Sequence, residues 1–449
     1  MNYWLINPKS DGVGTNTSVL SNKVVYMGWP ADKCPKFYNE VQPGDIIIIC
    51  EKAHYNNVCH FVGIAEKLDK NAQCWHLQYS TKNWNDEISN CIRNAPSDFA
   101  GGNSSNPWGQ TKSIICLGNN PAEMSIKQIV RNLIEEMEVT KIQEWLYRNH
   151  NIILHGTPGT GKTHKARRIA EVMNCSKEQM GFVQFHPSYD YTDFVEGLRP
   201  IKKGENVGFE RKDGVFKAFC KKALKAYNEA TDKTNAPKYV FVIDEINRGD
   251  MSKIFGELFF SIDPGYRGKD GKVDTQYQNL IDIDPETQNE DVFKNGFYVP
   301  ENVYVIGTMN DIDRSVESMD FAMRRRFAFM EITAEESQSM LTFEAFSKVN
   351  AVNADNACDE VDELKKRMNA LNAEIISPQI GLSTDYQIGV AYFLKFALYA
   401  DHDEAQPYEA LWDNHLKSVI TEYLRGTGDE SSKFDKLKAA YDNGKTQNN

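Results

Sequence analysis

Long hydrophobic runs are missing from this chain of 449 residues. Apolar stretches such as Ile46–Cys50 and Tyr239–Ile243 end far short of the length a bilayer requires, so no transmembrane helix is expected. The start, Met1-Asn2-Tyr3-Trp4, has no basic segment leading into an apolar one, so no secretory leader is expected either. Cysteine is scarce and unpatterned: nine residues, an odd number, with no C-x-x-C pair and no histidine spaced to complete a zinc site. Reduced thiols follow, and with them a soluble cytoplasmic protein. A surplus of positive charge is also missing. The formal net charge is −12 and the isoelectric point is near 5.4, which excludes a protein that holds nucleic acid by bulk charge. Residues 1–120 carry ten Lys/Arg and ten Asp/Glu, so the negative excess lies downstream and any contact with DNA must rest on local patches. Nor is there a clear paired-acid and E-x-K constellation of a nuclease.

What the chain does have is a glycine-rich phosphate loop. Ile152-Ile153-Leu154 is an apolar run of strand length, and Thr163–Met173 holds helix formers without Pro or Gly. Between them lie Gly156, Thr157, Pro158, Gly159, Thr160, Gly161, Lys162 and Thr163. Glycines let successive backbone N–H groups turn inward on phosphate oxygens, and the helix N-terminus adds a favourable dipole. Lys162 is placed to reach the β- and γ-phosphates, and the Thr163 hydroxyl to ligate Mg²⁺. The strand before and the helix after distinguish this stretch from a chance G-x(4)-G-K-[ST] match.

The remaining parts of a nucleoside triphosphatase follow in order. Tyr239–Ile243 is an unbroken apolar run, as a central parallel strand should be, and it ends in Asp244-Glu245. There the first acid can hold Mg²⁺ and the second can orient or deprotonate the attacking water. A further strand, Val303–Thr308, leads to Met309-Asn310, whose amide would sit near the γ-phosphate. Downstream, Arg324-Arg325-Arg326 precedes an apolar segment. A solvated helix end would look the same. In a ring ATPase, however, this position faces the neighbouring subunit's nucleotide, where an arginine supplied in trans stabilises the transferring phosphoryl group. Arg325 and Arg326 are the candidates, and a homo-oligomeric ring, a hexamer, is expected.

The first 118 residues have another texture. Tyr3–Ile6, Lys23–Tyr26, Asp45–Cys50, Val58–Ala65 and Lys112–Leu117 read as strands broken by turn pairs such as Pro43-Gly44, which suggests a small bent sheet or barrel. Five of the seven tryptophans and six of the nine cysteines lie here. Most of the tryptophans are expected to fill the core; one or two could line a pocket, since an aromatic face stacks on a flipped base.

Y-W-L-I at the start, P-G-D-I-I-I-I-C at 43–50 and F-V-G-I-A-E at 61–66 resemble the EVE branch of the PUA-like superfamily. The resemblance implies a cage for an extruded modified base, with Trp29 and Trp84 as its candidates; a degenerate pocket that only packs is the competing reading. The segment Asn94–Gln110 is rich in turn formers, and Gly118-Asn119-Asn120-Pro121 is the expected boundary. From Ser125, helical spacing of Ile126, Val130, Leu133, Ile134 and Met137 predicts one helix, and Val139–Tyr147 a second.

Taken together, the downstream motifs resemble the AAA+ superfamily and, within it, the McrB family, over residues 125–425. The phosphate loop matches G-x-P-G-x-G-K-T, with Thr157 where proline is frequent, and Asp244–Gly249 matches D-E-I-N-R-G. Met309–Ser315 stands for M-N-T-A-D-R-S, with Asp311-Ile312 in place of Thr-Ala but Asn310, Asp313 and Arg314 kept. Ala322–Phe327 matches the A-L-R-R-R-F box, and Val183–Tyr189 and Lys253–Leu258 also fit. Ile388–Phe393 matches I-G-H-S-Y-F with His-Ser lost. The resemblance implies GTP as substrate with Mg²⁺, catalytic roles for Asp313 and Arg314 beside Glu245 and Asn310, and an McrC-type nuclease partner. It also implies DNA with modified bases, such as modified cytosine, as the target in phage defence.

The expected organisation is multidomain: a small β-rich PUA-like (EVE) domain over 1–118, an α/β AAA+ P-loop core with a parallel sheet over 119–333, and a helical lid with C-terminal tail over 334–449. In the last, Leu364, Met368 and Leu371 recur at helical intervals, as do Leu416, Ile420 and Leu424. Residues 264–298 are polar and read as a surface hairpin or loop insertion, with a pore or partner-contact role as the alternative. Two other functions fit the core: a MoxR-like ATPase that remodels proteins, and a nucleotide-gated DNA-binding module whose turnover is incidental. M-N-x-x-D-R and Q-F-H-P-S-Y favour McrB over the first.

Overall fold

A computed structural model describes residues 3–6, 24–26, 36–43, 45–53, 56–69, 74–80, 114–117, 121–203, 206–281, 290–312, 321–341, 357–399 and 406–444. The chain divides into two compact units, Met1–Met137 and Glu138–Asn449. No helix among the described residues is long and apolar enough to cross a membrane.

The first unit holds six strands, β1 (Tyr3–Ile6), β2 (Val24–Tyr26), β3 (Ile46–Ala53), β4 (Asn56–Asp69), β5 (Cys74–Ser80) and β6 (Ile114–Cys116). They form one sheet in the order β2-β5-β4-β3-β1-β6, antiparallel throughout except for the parallel pair β1–β3. Five of these strands lie where the sequence places them; β5 is additional. Trp4 and Trp75 are core residues: both are buried, and each indole N–H is satisfied, Trp4 by Asp45 Oδ2 at 2.8 Å and Trp75 by the Phe37 carbonyl at 2.8 Å. Trp29 and Trp84 lie outside the described residues. Helix α1 (Pro121–Asn149) is continuous where two helices were expected.

The second unit is built on a five-stranded, wholly parallel sheet. Its strands are β7 (Asn151–His155), β8 (Met180–Gln184), β11 (Tyr239–Asp244), β12 (Val303–Thr308) and β13 (Ala328–Glu331), ordered β13-β7-β12-β11-β8. Side chains alternate between faces along a strand, and both faces here are covered. Ile152, Leu154, Val240, Val242, Tyr304 and Ile306 enter one core, which also takes in α1 and helix α2 (Lys162–Val172). Ile153, Phe241, Ile243, Val303 and Val305 enter the other, with helix α3 (Val215–Glu229).

A β-ribbon, β9 (Glu196–Lys203) and β10 (Asn206–Asp213), precedes α3 and was not foreseen. Residues 264–298 also depart from expectation. Rather than a solvated loop, the segment sends Phe293, Phe297 and Tyr298 into the same core as α3. Asp282-Ile283-Asp284-Pro285, at its middle, lies outside the described residues.

Beyond β13 the chain is helical, with α4 (Ala357–Ile375), α5 (Lys417–Leu424) and α6 (Glu430–Asn443) around a separate core. Leu364, Met368, Leu371, Leu416, Ile420 and Leu424 are all buried there, as their spacing requires.

Candidate nucleotide site

Strand β7 delivers the chain into the phosphate loop from an anchored start. Asn151 Nδ2 donates to the carbonyl oxygens of Ile262 (2.7 Å) and Arg326 (2.9 Å), and its Oδ1 accepts from Arg267. Gly156 leaves the strand at φ +138°, where a Cβ would collide with the Ile332 carbonyl. Gly161 caps α2 at φ 78° without a side-chain acceptor, so the first turn of the helix opens toward the loop.

Lys162 is only 7% exposed. Its Nζ donates to the carbonyls of Gly156 (3.1 Å) and Thr157 (2.7 Å) and to Thr160 Oγ1 (3.4 Å), all neutral acceptors of its own loop. Burial pushes the ammonium's pKa down to about 8, against the attraction of Asp311, Glu245 and Asp244. A buried cation with neutral acceptors is primed for an anion.

At the end of β11, Asp244 Oδ1 accepts from Thr163 Oγ1 (2.6 Å) and from Thr308 Oγ1 (2.7 Å). The Thr163–Asp244 pair is a set of hard oxygens. Mg²⁺ typically takes one or two protein oxygens and completes its octahedron with phosphate oxygens and water, so these residues fit that ion. Glu245 follows at φ 51°, a left-handed conformation that a non-glycine residue keeps only where its surroundings hold it. Its Oε1 accepts from Asn310 Nδ2 (2.6 Å), its Oε2 from Arg248 Nε (3.2 Å), and its backbone N–H donates to Thr308 Oγ1 (3.2 Å). Burial raises the carboxyl's pKa, with Arg248 opposing. A carboxylate of heightened proton affinity, clamped by two donors, suits a general base.

The structure thus brings together residues 156–163, Asp244, Glu245 and Asn310. Arg248 lies within the matched D-E-I-N-R-G stretch, but sequence reasoning gave it no role. The pair His155–Asp311 was also missed: His155 Nδ1 lies 2.9 Å from Asp311 Oδ2, and the Asp311 N–H donates to the Gly156 carbonyl at 3.3 Å. The departure of Asp311 from the family pattern was the available signal; nothing along the chain links it to a histidine so distant in sequence. Asp313 and Arg314 lie outside the described residues.

Of the three arginines, Arg324 and Arg325 are exposed, and Arg324 sits over the Phe329 ring at 5.5 Å. The expectation that Arg326 is offered to a neighbour does not hold. Its side chain is buried, its Nη1 donates to the Ala322 carbonyl (2.6 Å), and its guanidinium lies over Phe259. Its own carbonyl receives Asn151. Arg326 secures the core of its own protomer.

Residues Ile388–Phe393 close over the loop. The Gly389 N–H donates to the Pro158 carbonyl (3.0 Å) and the Ala391 N–H to the Gly159 carbonyl (2.9 Å), so the main chain makes this contact without the lost His-Ser side chains. Beside it lies a cavity of about 600 Å³ bounded by Pro158, Arg248, Asn310, Tyr392, Ser418 and Tyr423, among others.

Residues 151–327 match the family AAA domain (dynein-related subfamily). The chain is 39% identical over 263 residues to the "Type IV methyl-directed restriction enzyme EcoKMcrB subunit" of Escherichia coli (strain K12), a match covering 58% of this chain and 50% of that protein. It is 24% identical over 203 residues to the "Type II restriction enzyme BsuMI component YdiS" of Bacillus subtilis (strain 168), covering 41% of this chain and 58% of that one. The chain therefore spans half to three-fifths of the length of these relatives. It carries a AAA-type P-loop nucleoside-triphosphatase domain and is similar to McrB.

Proposed function

We propose that this chain is the GTP-hydrolysing motor subunit of an McrB-type, modification-dependent DNA restriction system. One observation carries the reading. Lys162, the pair Thr163–Asp244 and the cluster Glu245–Asn310–Arg248 border a single loop, in a chain that is 39% identical to EcoKMcrB over 263 residues.

The chemistry is phosphoryl transfer to water. Lys162 exchanges its loop carbonyls for β- and γ-phosphate oxygens. Thr163 and Asp244 would hold Mg²⁺, which would supply positive charge to the phosphates. Glu245 takes the proton of the attacking water, and Asn310 and Arg248 hold its two oxygens in place. Arg325 of a neighbouring copy supplies positive charge to the transferring group, which makes a homo-oligomeric ring, a hexamer, the active form. Asp313 and Arg314 extend the signature that begins at Asn310.

The domains divide the labour. Residues 1–118 serve as an EVE/PUA-like reader of a modified base, for which Trp29 and Trp84 are the candidate stacking residues. Residues 119–333 are the motor and 334–449 the lid that follows nucleotide state. The ring moves DNA in the cytoplasm until an McrC-type nuclease cuts it. Steady-state hydrolysis by the purified chain is expected to favour GTP over ATP and to rise when the McrC-type partner is added. Preference for ATP with no response to that partner would refute the reading.

A further inference from the structure

Strand β7 has two ends with different attachments. Its last residue, His155, leads into the phosphate loop; its first, Asn151, is wholly buried and bonded to the arginine turn. Asn151 Nδ2 donates to the Arg326 carbonyl at 2.9 Å, just ahead of the point where Ala328 pairs with Ile152. The Arg326 guanidinium reaches back to the Ala322 carbonyl at 2.6 Å. Both ends of the segment 322–326 are therefore fixed from inside the protomer, while Arg324 and Arg325 between them stay exposed. The second Nδ2 proton goes to the Ile262 carbonyl at 2.7 Å, and Arg267 donates to Oδ1. A flipped amide would set its oxygen against two carbonyls and its NH₂ against a guanidinium, so these contacts define one orientation. The other two nitrogens of Arg267, Nε and Nη1, are buried without a hydrogen-bond partner among the described residues. Burial lowers the guanidinium's pKa to about 10, which still leaves it charged at neutral pH. Keeping a cation inside the protein for one hydrogen bond is costly, and what that bond secures is Asn151.

We propose that Asn151, held by Arg267, is a positioning residue: it fixes the backbone of the arginine turn so that Arg325 meets the nucleotide of the neighbouring copy. This deepens the proposed function and rests on its reading of Arg325 as a donor in trans. One short strand then ties a protomer's own phosphate loop to the arginine that the protomer offers.

The test is steady-state turnover and GTPγS binding by the full chain carrying Asn151→Ala, alone and mixed with Lys162→Ala. Turnover is expected to fall roughly tenfold, as a displaced catalytic group predicts, with GTPγS affinity unchanged. Arg325→Ala sets the ceiling: adding Asn151→Ala to it should slow turnover little further, because the arginine being positioned has gone. Mixing separates positioning from a merely structural role. Lys162→Ala subunits lack a working loop but carry an intact arginine turn, so they should raise the turnover of Asn151→Ala subunits. Were Asn151 needed only by its own loop, they could not. Arg267→Gln removes the cation and leaves Asn151 in place; it should give a smaller loss with the same restoration, and it carries the test should Asn151→Ala fail to fold. Where Lys162→Ala restores Arg325→Ala, additive losses or no restoration of the Asn151 and Arg267 variants overturns the assignment of Asn151 alone. Failure to restore Arg325→Ala overturns the reading of that arginine as a donor in trans.

Discussion

The second unit contains two clusters of charge that look alike on paper and behave differently. One surrounds the phosphate loop. The other ties the β9–β10 ribbon and α3 to the 264–298 segment: Glu196, Asp213 and Asp291 face Arg211, Lys217 and Lys221. In this second cluster every charge meets its opposite. Lys217 reaches Glu196 at 2.6 Å, Arg211 reaches Glu196 at 3.1 Å, and Lys221 reaches Asp213 at 2.6 Å and Asp291 at 2.7 Å. Backbone donors complete it, with the Tyr277 N–H on Glu196 and the Phe293 N–H on Asp291. Burial alone would raise the Glu196 pKa, but Lys217 and these hydrogen bonds hold it below the usual carboxylate range. Around the loop the balance is deliberately incomplete. Lys162 rests on neutral oxygens, and Glu245 is a carboxyl whose pKa rises instead of falling. A closed set of charges holds a fold together; an open set of charges at a cavity waits for a ligand.

Breaking each cluster should therefore have different consequences. The largest effect is expected at Glu245→Gln, which removes the proton acceptor while keeping a partner for Asn310. Hydrolysis should fall roughly a thousandfold or more, with nucleotide binding and the melting temperature unchanged. Steady-state turnover alongside equilibrium binding checks this, and a variant that hydrolyses normally would remove Glu245 from the chemistry. In the closed cluster, Lys217→Met leaves Glu196 buried without its nearest cation. Its expected cost is about 3–5 kcal/mol of stability by chemical denaturation, since breaking one partner of a buried pair strands the other. Among molecules that remain folded, turnover should be close to the parent's.

The arginines sharpen the same contrast. Arg325→Ala should lower turnover on the order of a hundredfold without lowering the melting temperature, the loss typical of one transition-state donor. Adding back a subunit that carries Arg325 but lacks Lys162 should restore part of it. Arg326→Ala should do the reverse, lowering the melting temperature first. The smallest effect concerns pH. Lys162 titrates near 8 in the free protein, and bound phosphates favour its charged form, so binding takes up a proton above that pH. Affinity for nucleotide should fall by roughly tenfold per unit as pH rises beyond 8, and isothermal titration in buffers of differing ionisation heat would detect the uptake. Affinity flat across this range would mean that Lys162 stays charged in the free site.

Much of this was legible in one dimension. The loop, the acid pair after Tyr239–Ile243 and the strand ending at Thr308 rely on local patterns that sequence displays directly. The β9–β10 ribbon was hidden because Pro200 and a run of charged residues mask its alternation, which a two-stranded ribbon tolerates more readily than a central strand does. The 264–298 segment reads as solvated because its acids and hydroxyls find buried partners only in the fold: Asp291 on Lys221, Thr275 on Lys217.

The chemistry-bearing residues, their order and the alternation that covers both faces of the parallel sheet were determined by sequence alone, because each is set by neighbours a few positions away. Which arginine faces outward and which serves its own core was decided only by tertiary structure, since three adjacent guanidinium groups are identical until packing gives one of them a buried carbonyl and an aromatic ring.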